Sequence, residues 1–306
     1  MDRRQLLVRA LAAALVPALP RAALASPEST FHAIYDHVVL RDQFFGFLQH
    51  VFHLYPEDRL HYLIREATAA HAGDEAIYRE VVAGIPEIKP LLSELTYAIP
   101  ALQVQKTVLA SQTVRLVGDG EVDGYVEVGT TGRYVRQLSE RVSLRGPLWV
   151  VNDRPPAATP VDWIERGQLA EIGTFVPLGG YDPLTPIPDA SVDLVTVMIG
   201  LHHCPDDALE AFVADLRRVL RPAGHLVIRE HDAEGADLQA VVTLAHDVFN
   251  AGTGVDWPGN QAELRHFRPL TEWFEVLARG GFVQSGDLLA QPHDPTRNLL
   301  VHYEPG

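Results

Sequence analysis

The chain has 306 residues, 47% of them hydrophobic, which is enough for one large or two modest domains with a sizeable core and argues against disorder. Its formal net charge of -15 sets it against phosphate backbones and anionic membranes, so nucleic acid is not an expected partner. A single cysteine, Cys204, excludes an internal disulfide and a zinc cluster of cysteines.

Residues 1–25 read as an export signal. Arg3 and Arg4 form a basic start, an apolar segment follows to Leu19, and Ala23-Leu24-Ala25 is a small-residue cleavage pattern. The paired arginines resemble a twin-arginine signal, which predicts periplasmic export of a folded protein. The competing expectation is an amphipathic N-terminal helix of a cytoplasmic protein. The apolar run is too short, and too interrupted by Arg9 and Pro17, to make a stable membrane span.

Residues 26–118 predict an α-helical N-terminal region. Phe31, Ile34, Tyr35, Val38, Phe44, Phe45, Phe47, Leu48 and Val51 recur at helical spacing. Pro56 opens the next helix and Gly73 stops it, Asp74 caps another, and residues 89–116 are helical with an interruption at Pro100. The phenylalanine cluster is read as helical core rather than as the wall of a substrate pocket. The histidines here are read as surface or packed residues. Gly118-Asp119-Gly120 is the expected domain boundary.

Residues 119–306 alternate strands and helices. Tyr125-Val126-Glu127-Val128 ends in a tight turn at Gly129 and Gly132, followed by the helical pattern RYVRQLSERV. Further strands are expected at 148–151, 174–178, 192–199 and 225–228, with an amphipathic helix over 206–220. Buried strands of this kind, separated by helices, indicate a parallel sheet covered on both faces. GFVQSGDLLA and RNLLVHYE suit an antiparallel pair at the end. In such a sheet a ligand lies at the carboxyl ends of the strands. An acid just after the second strand, Asp153, is placed to accept hydrogen bonds from ribose hydroxyls. There is no Gly-Lys-Ser/Thr phosphate loop, and the acidic strand ends fit a ligand with a positive centre and no phosphate.

These residues, and above all the segment IPDASVDLVTVMIGLHHCPDDALEAFVADLRRVLRPAGHLVIREHD at 187–232, resemble the class I S-adenosylmethionine-dependent methyltransferases with a methyltransferase type 11-like domain. The resemblance covers roughly residues 119–306. It implies an α/β fold, a Rossmann-like doubly wound seven-stranded sheet with an antiparallel last strand, and S-adenosylmethionine as cofactor. It implies that Glu127, Gly129 and Gly132 lie near the methionine part, Asp153 at the ribose and Asp182 near the adenine edge. Gly200, Leu201 and His202 would flank the sulfonium. The family's first motif is acid-x-Gly-x-Gly-x-Gly, and here Thr131 and Arg133 replace its second and third glycines. A protein that keeps the fold and binds a nucleoside ligand without turnover is therefore the competing reading. A nicotinamide-dependent oxidoreductase is a weaker third.

Methyl transfer to a hydroxyl or phenol needs a base. His231 is the first candidate, oriented by Asp232 or Glu230, and His203 is the second. His231-Asp232 and His246-Asp247 would hold a divalent ion only if the pairs converged. Their spacing does not require it, so the expectation is no metal. The acceptor is expected to be a small molecule.

Overall fold

A computed structural model describes residues 29–90, 97–168, 170 and 172–306. The signal-like segment 1–25 lies outside them. Among the described residues no helix is long and apolar enough to cross a membrane.

Seven strands form one sheet: β1 (Glu121–Val128), β2 (Ser143–Asn152), β3 (Thr174–Pro177), β4 (Val192–Val197), β5 (Leu220–His231), β6 (Phe282–Ala290) and β7 (Asn298–Pro305). Their order is β3-β2-β1-β4-β5-β7-β6. Strands β1 to β5 pair in parallel. β7 runs antiparallel to both neighbours, β5 and β6. The doubly wound sheet with its reversed last strand is thus as the sequence predicts. Strand order reverses between β1 and β4, so the crevice at their carboxyl ends is the topological switch point.

Strands β1 and β4 are buried along most of their length, which explains their near-continuous apolar runs. One face is covered by α8 (Asp206–Val219) and α11 (Leu270–Arg279). Leu209, Phe212, Val213 and Leu216 form the inward stripe of α8, at helical spacing. Asp206 and Asp207 in its first turn and Arg217 and Arg218 in its last complement the helix dipole. The opposite face is covered by α5 (Ile99–Val117) and α6 (Val135–Ser139), through Leu109, Val135 and Leu138. Between β2 and β3 lies α7 (Pro160–Arg166).

A third layer joins α1 (Thr30–Tyr35), α2 (Val38–Phe47), α3 (Glu57–Ala70) and α4 (Asp74–Ile88) to α9 (Ala236–Thr253), which follows β5. Phe44 and Phe47 are buried in this helical core, as expected. Tyr55 and Tyr78 donate to the carbonyls of Gly252 and Val255, at 2.6 and 2.8 Å, and so fasten the end of α9 to the front helices. The short α10 (Trp257–Ala262) continues from there.

Three local expectations change. Pro100 opens α5 from its first turn instead of interrupting a helix, because the missing N–H costs nothing there. Asp74 does not cap its own helix. It accepts from the Ser29 hydroxyl and the Thr30 backbone, so it closes the start of α1. Residues 221–224, left between the expected helix over 206–220 and the expected strand at 225–228, lie within β5, whose register against β4 shifts between Val192 and Leu194.

Candidate active site

The loop after β1 turns on Gly129 and Gly132, with φ of 91° and 92°. An L residue is strained at both positions. A Cβ at Gly129 would also meet the Ile199 side chain at 2.2 Å, so the loop and the end of β4 lie in direct contact. Thr131 is buried and does not adopt positive φ, which is why a side chain is tolerated where the family writes glycine.

Glu127 is fully buried, and its carboxylate is held inside the loop. It accepts from the Thr130 hydroxyl, the Tyr125 hydroxyl at 3.1 Å and the Tyr134 backbone N–H at 3.1 Å. Burial raises its pKa, and these donors oppose the shift. The helix after the loop is shorter than its sequence pattern: α6 has five residues, and the Tyr134 N–H before it points to Glu127.

Asp153 follows β2 directly, exposed, with no side-chain hydrogen bond among the described residues. Asp182 is exposed in the loop after β3, and a Cβ on Gly179 would approach its carboxylate. Between them sequence reasoning missed Tyr181. Its backbone has φ of 71°, its ring packs edge-on against Phe212, and its hydroxyl is buried with no hydrogen-bond partner. Burial pushes its pKa up, and the charges of Cys204, Glu230 and Asp153 add to the shift. The only signal in the sequence was an aromatic residue inside Gly179-Gly180-Tyr181-Asp182.

After β4, Gly200 has φ of 87°, and a Cβ there would run into the His202 ring and Glu230. Leu201 and His202 are buried in a single 3-10 turn, Leu201–His203. Glu230, at the end of β5, accepts from the Leu201 and His202 backbone amides, and its Oε2 lies 2.8 Å from His202 Nδ1. Burial raises the Glu230 pKa to about 8 and holds His202 well below the usual histidine range. His202 is therefore neutral at working pH.

The expected orientation of His231 is corrected. Glu230 pairs with His202. Asp232 accepts from the Leu270 amide at the start of α11 and pairs with Arg297. His231 Nδ1 instead lies 2.9 Å from the Thr296 carbonyl, and its Nε2 lies 3.3 Å from the Asn298 amide nitrogen. Both ring nitrogens are committed and the residue is buried, so His231 is poorly placed to take a proton from an acceptor. Asp247 likewise does not orient His246. It binds Arg265 and Asn260, at 2.7 and 2.8 Å, while His246 Nδ1 donates to the Val242 carbonyl of its own helix at 2.9 Å.

The histidines nevertheless meet. The rings of His202, His203, His231 and His246 cluster with Phe267. His202 lies 4.3 Å from His203 and 5.3 Å from His246 between ring centroids. His203 is the more accessible member on the turn, and its Nδ1 is 2.9 Å from the Leu264 carbonyl.

Residues 126–228 match the family model described as a methyltransferase domain. The strand order and the glycine loop of this segment are those of a class I methyltransferase fold, the fold of S-adenosylmethionine-dependent methyltransferases. No curated protein matches the sequence. Among solved structures the chain is similar to the pyocyanin biosynthetic protein PhzM, at 12% identity and a TM-score of 0.50, covering 90% of this chain and 76% of that one. It is also similar to the 1,6-didemethyltoxoflavin-N1-methyltransferase of Burkholderia thailandensis, solved with 1,6-didemethyltoxoflavin and S-adenosylhomocysteine. That match has 16% identity and a TM-score of 0.43, covering 75% of this chain and 87% of that one. A S-adenosylmethionine-dependent methyltransferase from Mesorhizobium loti matches at 15% identity and a TM-score of 0.45, covering 66% of this chain and 99% of that one. PhzM, at this identity, speaks for the fold alone.

Proposed function

We propose that the chain is a S-adenosylmethionine-dependent methyltransferase acting on a small molecule. The observation that carries this reading is the exposed Asp153 carboxylate just after β2, without a side-chain hydrogen bond among the described residues, where β2 pairs with the β1 strand that leads into the glycine loop, in a segment that matches a methyltransferase domain. The buried, unpartnered Tyr181 hydroxyl nearby is a second polar group that a ligand would satisfy.

Asp153 would hold the ribose hydroxyls and Asp182 the adenine edge. Gly129 and Gly132 would admit the methionine part, and Glu127 acts through the loop it closes. The bound cofactor supplies an electrophilic methyl group on a sulfonium. Gly200, Leu201 and His202 fix the β4 end against it through Glu230. The chain's task is to orient the acceptor and exclude water. A proton acceptor other than His231 is required where the acceptor is a hydroxyl or phenol.

A second reading is binding without turnover. The Ile199 side chain resting at Gly129, together with Thr131, favours it. The two separate when purified protein is incubated with methyl-labelled cofactor and a small-molecule extract. Transfer of label to a small molecule supports the enzyme, and absence of transfer by protein that binds S-adenosylhomocysteine supports the second reading.

A further inference from the structure

The histidine cluster has a feature that methyl transfer does not require. His202, His203 and His246 each direct Nδ1 to a fixed oxygen: Glu230 Oε2 at 2.8 Å, the Leu264 carbonyl at 2.9 Å and the Val242 carbonyl at 2.9 Å. An imidazole that donates through Nδ1 carries a lone pair on Nε2, the state in which histidine ligates a metal. One ring nitrogen from each of the three lies within 4.8 Å of the others. His202 Nε2 is buried and has no hydrogen-bond partner, although its residue is only 3% exposed. Three outer partners fixing three rings, with an unsatisfied buried nitrogen on one of them, are the parts of a three-histidine metal site.

We propose that His202, His203 and His246 bind one divalent transition metal ion of the zinc class through Nε2. Imidazole ligands suit zinc over magnesium or calcium, which take oxygen ligands. Three ligands about 2.0–2.1 Å from a tetrahedral ion stand about 3.3 Å from one another, so the rings close slightly on binding. His203 and His246, less buried than His202, supply that movement. Glu230 is the outer carboxylate of a carboxylate-histidine-metal relay.

The charge around the site permits a cation. Arg265 pairs with Asp247 and Glu263, and Arg229 lies near Asp294, so both neighbouring guanidinium groups face carboxylates. Glu230 and Glu263 stand beside His202 and His203. His231 stays outside the triad, because its Nε2 faces Asn298.

Two ligands come from the turn after β4 and the third from α9, which is packed in the helical layer. The ion therefore ties that layer to the sheet. Three protein ligands leave a fourth position open, as in catalytic zinc sites. If the methyltransferase reading above holds, an acceptor oxygen or sulfur can take that position and lose its proton to water more readily, and its lone pair then forms the new bond to the methyl group as the carbon–sulfur bond of the sulfonium breaks and the thioether leaves. Metal binding itself does not depend on that reading.

The test uses the full chain purified without a histidine tag, stripped with a chelator and titrated with zinc(II) against a competing chelator. One equivalent per chain is expected, with a rise in Tm. Cobalt(II) should give the intense visible absorption of a tetrahedral site. His246→Gln and the less buried His203→Gln should weaken binding about hundredfold or more, and Glu230→Gln by about ten- to hundredfold. His225→Gln, in a different histidine pair, should bind as the parent does, and circular dichroism checks that each variant is folded. Absence of a stoichiometric ion in the parent, weak octahedral-type cobalt absorption, or unchanged affinity in folded His203→Gln overturns the proposal. Metal binding without methyl transfer leaves the site standing and counts against the enzyme reading alone.

Discussion

Glu230 Oε2 lies 2.8 Å from His202 Nδ1, with both side chains buried at the carboxyl ends of adjacent strands. The same carboxylate accepts from the backbone amides of Leu201 and His202, so it forms the turn that carries both histidines. Glu230→Ala leaves two buried amides and an imidazole unpaired. We expect a loss in denaturant unfolding of about 1–3 kcal/mol for each buried polar group left unsatisfied, and a smaller loss for Glu230→Gln. A loss below about 1 kcal/mol for the alanine variant would show that the turn does not depend on this contact.

Gly129→Ala should damage the loop in two ways. The backbone sits at φ of 91°, and the added Cβ would meet Ile199 at 2.2 Å. The strain costs about 1–3 kcal/mol. Thermal unfolding should register it, and S-adenosylhomocysteine affinity should fall. Adding Ile199→Ala relieves the clash but not the left-handed backbone, so it should restore stability only in part. Full restoration would mean that the φ requirement has been overstated.

Tyr181→Phe separates a ligand contact from a structural one. The hydroxyl is buried without a partner, so its removal should raise the stability of the ligand-free protein by about 1 kcal/mol. Affinity for S-adenosylhomocysteine should fall about tenfold if the ligand satisfies that group. A destabilised variant with unchanged affinity would place the hydroxyl in the fold instead.

His302, in β7, lies 3.0 Å from His225 Nδ1 through its Nε2. Burial and the neighbouring His225 lower its pKa to about 4, with Glu304 acting the other way. The unfolded chain binds this proton near pH 6.5 and the folded chain does not, so folding loses stability as pH falls from about 6.5 towards 4. The full contribution is present above pH 6.5. In His302→Phe the pH dependence of unfolding should be flatter over that window, and an unchanged slope would assign the dependence to other groups.

Sheet topology was legible because it is written in local signals. Runs such as Val192–Val197, an amphipathic α8 and the two final strands each fix an element, and parallel strands with helices between them fix the layers. The glycine loop and Asp153 were legible for the same reason, since strand ends follow from strands. The histidine geometry was not. Glu230, His231 and Asp232 are consecutive, and alternation along a strand sends neighbours to opposite faces, so adjacency in sequence was a poor guide to pairing. Glu230 reaches His202 across β4 and β5, and His231 faces the Thr296 carbonyl beside β7. The convergence of His203 with His246 depends on α9 joining the front helices, a contact between residues about 200 positions apart, as with Tyr55 and Gly252. No periodicity marks it.

Export of the mature protein is a separate proposal from residues 1–25. N-terminal sequencing of periplasmic protein should begin just after Ala25, and an intact Met1 in the mature protein would contradict it.

The central claim is that Asp153, exposed at the end of β2, holds the ribose of S-adenosylmethionine. Calorimetric titration of the full chain with S-adenosylhomocysteine, beside Asp153→Ala, tests it most directly. One site per chain is expected in the parent and a loss of about ten- to hundredfold in the variant, the range for hydrogen bonds to a charged group, with little change in Tm because the side chain is exposed. Equal affinity in the two proteins, or no binding by the parent, would contradict it.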